Sequence, residues 1–189
     1  MCGRYSLNLE NSKSNFKKDT VTKFSKIFTF KNLDISPSSK NPVIFFNNKE
    51  YFFELFKWGL SYDWLPKGRV LFNLRSETVS DKNFSKDLIL KKRCIVPFNS
   101  YFEWQNIPPS KKKFSLQTYE KISFFAAVYR ENSEGNEYSI LTKASEQNIK
   151  HIHERRPVIV PKGAVKKWFS EHYLDILENS LVSMKYSEV

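Results

Sequence analysis

Residues 111–130 read KKKFSLQTYEKISFFAAVYR, and the fold class turns on them. From Lys113 to Tyr119, Phe114, Leu116 and Thr118 alternate with Ser115 and Gln117. That period of two sends successive side chains to opposite faces of a strand. After a short break, Ser123–Tyr129 is a run of aromatic, β-branched and small apolar residues, as in a strand covered on both faces. Similar short segments recur outward in both directions: Cys2–Leu9, Val43–Asn47, Tyr51–Trp58, Arg93–Val96, Tyr101–Trp104, Tyr138–Thr142 and Val158–Val160. Helical spacing is rarer. It predicts helices over Asn15–Phe28, over Asp81–Lys91 with Ser80 as N-cap, over Lys162–Ser170 behind Pro161, and over Tyr173–Ser180. Strands outnumber helices without alternating with them. The expected class is therefore α+β, a mostly antiparallel, barrel-like sheet with a few peripheral helices. Asn11–Ser39 and Glu131–Glu137 are expected as loop-bearing insertions.

The length of 189 residues suits one domain spanning 1–189. With 40% hydrophobic residues and 17 Phe, the chain can build a packed core, which excludes wholesale disorder. Two cysteines, Cys2 and Cys94, are too few for a disulfide scaffold or a Cys-rich zinc site. No apolar run approaches the ~20 residues of a membrane span, and the N-terminus lacks a signal peptide's apolar region. A cytoplasmic location without membrane contact is expected. The formal charge of +11 favours a polyanionic partner. Lysines outnumber arginines 24 to 7 and read as solvated surface. Five arginines, Arg4, Arg75, Arg93, Arg155 and Arg156, fall inside the segments described next, and an arginine fork can grip phosphate bidentately.

The chain opens Met1-Cys2-Gly3-Arg4. Loss of Met1 would make Cys2 a 1,2-aminothiol, its amine with a pKa of about 7.7–8.0 beside a thiol of about 8.5. Such a group can act as a nucleophile with its own amine as base. Alternatively, its amine can condense with an aldehyde and its thiol close a thiazolidine ring. Gly3 allows close backbone approach beside it. Asn73, Arg75 and Glu77 would share one face if that segment is extended, with an Arg75–Glu77 ion pair as the plain structural alternative. In Tyr101-Phe102-Glu103-Trp104 the aromatic neighbours would desolvate Glu103 and raise its pKa toward the range of a general acid/base. His151 and His153, two of three histidines, have no matching Cys or Asp cluster, so no metal is expected.

Taken in order, the motifs are Cys-Gly-Arg at 2–4, Trp58-Gly59-Leu60 with Trp64, Asn-x-Arg-Ser-Glu-Thr at 73–78, Arg-Cys-x-Val-Pro at 93–97, Phe-Glu-Trp at 102–104 and His-x-Arg-x-Pro at 153–157. The set resembles the SOS-response-associated peptidase (SRAP) family, which covalently captures abasic sites in single-stranded DNA. Pro37 and the stretch Tyr138–Ser145 match weaker parts of the pattern.

The resemblance implies a twisted antiparallel β-barrel and an N-terminal Cys2 that forms a thiazolidine with the ring-opened sugar aldehyde. It implies Glu103 as acid/base, His153 assisting at the sugar oxygen, and Asn73 orienting the amine or sugar. Gly3, Arg4, Arg75, Thr142 and Arg155 would contact DNA, with Pro37 and Trp64 as wedge or stacking surfaces, while Trp58 is expected in the core. No cofactor is implied, and a monomer is expected. Self-processing ahead of Cys2 belongs to the same picture. The sequence departs from the family pattern at Phe98-Asn99-Ser100, Asp34, Ser61-Tyr62-Asp63 and Lys143, the last read as an added phosphate contact. It ends at Val189, about where a final strand and tail are usual. An N-terminal-nucleophile amidohydrolase or amidotransferase and a non-catalytic basic nucleic-acid module are the competing classes.

Overall fold

The computed structural model describes residues 2–189, and the side chains of all of these except 106 and 107. Among the described residues, thirteen strands form two sheets. The first holds β1 (Arg4–Asn8), β2 (Lys31–Ile35), β7 (Ser100–Ile107), β8 (Ser110–Thr118) and β13 (Met184–Glu188), in the order β13-β8-β7-β1-β2. In the second, β3 (Lys40–Asn47), β4 (Glu50–Trp58), β6 (Arg93–Phe98), β9 (Ser123–Arg130) and β10 (Glu137–Ala144) run in the order β10-β4-β3-β6-β9. The pairing of β10 with β9 closes this circuit into a barrel. Three short strands, β5 (Asn73–Arg75), β11 (Arg155–Pro157) and β12 (Ile159–Val160), attach to β10 and β9. Pairing is antiparallel throughout the described residues except where β4 and β5 run parallel to β10. The expected α+β class with a mostly antiparallel, barrel-like sheet is the one observed.

Alternation accounts for these strands. In β8, Phe114, Leu116 and Thr118 are buried while Ser115 and Gln117 are partly exposed. In β9, seven consecutive residues from Ser123 to Tyr129 are buried, because β6, β10 and β12 flank the strand and both its faces are covered. The core is strongly aromatic. Phe98 stacks on Phe125 at 3.7 Å, and Tyr5 meets Phe125 and Trp58 edge-on. Each such buried Phe contributes about 1.5–3 kcal/mol. Trp58 is fully buried, stacks on Tyr138, and donates from Nε1 to the Phe72 carbonyl at 2.8 Å.

Four local expectations change. Asn15–Phe28 is not one helix: α1 covers only Lys18–Lys23, with 3₁₀ turns at Glu10–Asn15 and Ile27–Thr29. Phe16, Phe24 and Phe28 all reach Phe53, and that packing overrides helical continuity. The stretch read as a loop up to Ser39 contains β2, an edge strand whose mostly exposed residues hide its alternation. Ser80 does not cap α2 (Asn83–Lys91), which begins after Lys82, whose side chain makes no capping bond; Ser85 instead donates to the Val79 carbonyl at 2.7 Å. Met184–Glu188, where the sequence pattern predicts no strand, lies along β8 as β13. The third predicted helix survives as a 3₁₀ turn followed by α4 (Val165–Trp168), and the fourth as α5 (Leu174–Asn179).

At the junction of β6 and β7, in the Phe98-Asn99-Ser100 departure, the Asn99 side chain holds the turn. Its amide donates to the Lys121 carbonyl at 2.6 Å, and its oxygen accepts from the Asn8 backbone at 2.5 Å. The turn thus ties β1 to the loop before β9.

Candidate active site at Cys2

Register places Arg4 of β1 opposite Phe102 of β7, so Cys2 and Gly3 precede β1 where Glu103 sits on the neighbouring strand. Cys2 is fully buried. Burial pushes its thiol well above the ordinary value, and the negative charge of Glu103 pushes in the same direction. Asn73, at the start of β5, donates from Nδ2 to the Cys2 carbonyl at 2.7 Å, while its Oδ1 is buried and accepts no hydrogen bond among the described residues. That leaves an acceptor beside the Cys2 backbone. Parallel pairing of β5 with β10 fixes Asn73 opposite Ile140, which anchors the amide on the barrel.

Glu103 is buried and its carboxyl is pushed up to about 7, with desolvation as the main cause. The shift agrees with the sequence expectation, but the aromatic neighbours do not produce it. Strand alternation turns Phe102 and Trp104 to the other face, and Trp104 is 38% exposed. Glu103 points inward with Tyr101, into a small cavity that His153, Ser145, Ile152 and Arg156 also line. His153 Nδ1 accepts from the Arg155 backbone N–H at 2.9 Å. Nδ1 also lies 3.1 Å from the Arg155 carbonyl oxygen. Desolvation holds the ring below the ordinary histidine value. The structure therefore gathers Cys2, Asn73, Glu103 and His153: a thiol, an amide bonded to its backbone, a carboxyl that titrates near neutrality and an imidazole held below its ordinary value.

The residues expected on DNA divide. Arg4 lies on the surface, its Nη1 2.6 Å from the Asp34 carboxylate. Arg75 is exposed and makes no ion pair among the described residues. Arg155 is not an idle fork. It binds Glu77 bidentately at 2.7 and 2.9 Å and also donates to the Thr142 carbonyl. This bond from Arg155 lowers the Glu77 carboxyl pKa. Glu77 pairs with Arg155 rather than Arg75 because the chain leaves β5 into a 3₁₀ turn at Ser76–Thr78, which breaks the expected alternation. Thr142 is buried and supports Arg155 from below. Pro37 sits in the turn between β2 and β3 beside Ser38, which has a φ of 72°. Trp64 is exposed and stacks on Tyr62 at 5.2 Å.

Two arginines that the motifs pointed toward phosphate have other roles. Arg93 donates to the carbonyls of Ile89, Leu90, Trp168 and Ser170 and lies 4.3 Å over the Tyr173 ring, closing the end of α2. Arg156 is buried on Glu146 and the Ser180 carbonyl. Lys143, read as a phosphate contact, donates to the carbonyls of Leu177 and Glu178 at the end of α5. Sequence reasoning missed Asp34 as the partner of Arg4 and paired Glu77 with Arg75 instead of Arg155. Among the described residues no His, Cys, Asp or Glu cluster could hold a metal ion, and no helix is long and apolar enough to cross a membrane.

The closed β-barrel thus holds a buried second-residue cysteine close to a glutamate whose carboxyl is pushed up to about 7. Residues 1–188 match the family described as SOS response associated peptidase (SRAP), and the chain belongs to that family. It is similar to the abasic site processing protein YoqW of Bacillus subtilis, 29% identical over 63% of this chain and 58% of that protein. It is also similar to YoaM of the same organism, another abasic site processing protein, 27% identical over 90% of this chain and 79% of YoaM. The chain thus spans somewhat over half the length of the first of these relatives. A crystal structure of a Bacteroides thetaiotaomicron protein shares the fold, with a TM-score of 0.79 at 20% identity, over 100% of this chain and 92% of that one.

Proposed function

We propose that this protein processes abasic sites in single-stranded DNA by covalent capture on Cys2 once Met1 has been removed. The Cys2 α-amine adds to the aldehyde carbon of the ring-opened deoxyribose. The resulting carbinolamine loses its hydroxyl as water, taking a proton from the Glu103 carboxyl, and becomes a protonated imine whose nitrogen keeps its one hydrogen. The Cys2 sulfur then bonds to the imine carbon; its proton returns to the Glu103 carboxylate, and the C=N electron pair goes to the nitrogen, which becomes the neutral ring amine. The sum is aldehyde plus aminothiol giving thiazolidine plus water. A carboxyl with a pKa of about 7 can give and take that proton near neutrality, as efficient acid/base catalysis requires. Asn73 would orient the Cys2 backbone through the bond it already makes, and His153 would assist at the sugar oxygen. The same thiol and carboxyl would serve self-processing ahead of Cys2.

The observation that carries this reading is the burial of Cys2 beside Glu103 with Asn73 on its carbonyl. The test is a denaturing gel of the protein, its mass showing loss of Met1, mixed with single-stranded DNA carrying one abasic site. A denaturation-resistant adduct is expected, absent with Cys2→Ala and slowed by about 10²–10⁴-fold with Glu103→Gln. No adduct from the processed wild-type protein would overturn the proposal.

A further inference from the structure

Tyr101 carries a hydroxyl that its packing does not need. The residue is fully buried, and its ring meets Phe98 and Phe125 edge-on, a setting in which phenylalanine would serve. Tyr5, opposite it in register on β1, is buried as well, but there the hydroxyl shares a 2.9 Å hydrogen bond with that of Tyr138. The Tyr101 hydroxyl has no hydrogen-bond partner among the described residues. A buried hydroxyl left so carries its full desolvation cost, and in a native fold such a group calls for an explanation.

The explanation lies in the small cavity that Tyr101 lines with Glu103, which is too narrow for a water molecule. Any partner for the hydroxyl must therefore come from the protein. Three further donors on the wall, Ser145 Oγ, Arg155 Nε and Arg156 Nε, also make no hydrogen bond among the described residues. The other nitrogens of the two arginines are held by Glu77, Glu146 and backbone carbonyls. His153 Nδ1 meets the Arg155 backbone, and the rest of the wall is aliphatic. Glu103 is the one lining group that can become an anion. Donors in excess around a single carboxyl form a receptacle for it once its proton has left. Tyr101 is the best placed of them. It and Glu103 are alternate residues of β7, on one face with their backbones about 7 Å apart, so no loop has to move to bring them together. Burial, with the charges of Cys2 and Glu103, pushes the phenol well above its ordinary value, so it remains a donor throughout.

We infer that Tyr101 is a positioning residue for Glu103, its hydroxyl turning to donate to the carboxylate each time that group gives up its proton. The part this plays in capture rests on the function proposed above; the hydrogen bond itself does not. The titratable and charged groups facing Glu103 are Cys2 ahead of β1, with its α-amine once Met1 is lost, Tyr101 on its own strand, and His153, Arg155 and Arg156 at β11; Phe114, opposite it on β8, is apolar. Carbon-13 NMR of the Glu103 carboxyl across pH, without DNA and assigned with Glu103→Gln, tests the bond. The wild-type midpoint should lie at about 7. Tyr101→Phe should raise it by about 0.5–1 pH unit, since the charged form loses a hydrogen bond. Tyr5→Phe, which removes a buried hydroxyl that is already bonded, should leave it in place. Thermal melts give a second readout. Tyr101→Phe should melt no lower than wild type at about pH 5, where the carboxyl is protonated, and lower at about pH 8, where it is not. An unmoved or lowered midpoint, or equal destabilisation at both pH values, would overturn the inference. The pH profile of adduct formation should move up with the midpoint, and a fixed profile beside a moved midpoint would overturn the part in capture. No adduct from the wild type would count against the capture chemistry and leave the titration standing.

Discussion

Arg156 and Glu103 line the same small cavity and are both almost wholly buried, yet they hold charge in opposite ways. Arg156 is neutralised by Glu146 and bound to the carbonyls of Pro157 and Ser180. Glu103 is held near neutrality by desolvation. One wall carries a fixed charge that pins the segment around Ser180 to β11, while the other carries a proton that can leave. The difference teaches that burial alone does not separate a structural ion from a chemical one. At the surface, Arg4 shows a third arrangement, an exposed cation held by an exposed carboxylate.

Breaking the fixed wall should have the largest effect. Arg156→Met leaves Glu146 without its partner, and urea unfolding should show a loss of about 3–5 kcal/mol. A loss below about 1 kcal/mol would make the two walls alike. Glu103→Gln should act with the opposite sign. The carboxyl value rises from 4.5 in the unfolded chain to about 7 in the fold, so the folded state alone keeps the proton between those values. Wild-type stability is therefore fully present below pH 4.5 and falls as pH rises through about 7, by about 3 kcal/mol. The variant should lack that fall and be the more stable protein at pH 8; parallel wild-type and variant curves would count against it. The smallest change is expected from Asp34→Asn. Stability should shift by less than about 1 kcal/mol, as for an exposed pair. Affinity for single-stranded DNA should rise a few-fold as Arg4 is released, and an unchanged dissociation constant would show that Arg4 does not reach the DNA.

Most of the barrel was legible because alternation in segments such as Phe114–Thr118 and the apolar run Ser123–Tyr129 is enforced by burial. The short strands were not. β2 and β13 lie at sheet edges, where most side chains meet water and the pattern fades. At the site, Cys2, Asn73, Glu103 and His153 could be named from their motifs, and the fold brings them together. The partners of the arginines could not be named. Arg155 and Glu77 are 78 positions apart, and Arg4 and Asp34 are 30 apart. No local period encodes such pairings, which arise only when β5, β10 and β11, or β1 and β2, come side by side. The two-residue spacing of Arg75 and Glu77 suggested the wrong pair because the strand ends between them.

The burial of Cys2 also bears on how the nucleophile lasts. Oxidants attack thiolates that water can reach, and the first oxidation product, a sulfenic acid, could no longer close a ring on an aldehyde. A thiol wholly out of solvent and held protonated escapes that route. If Cys2 captures its substrate as proposed, the burial that keeps the thiol protonated also gives a reagent used once its shelf life.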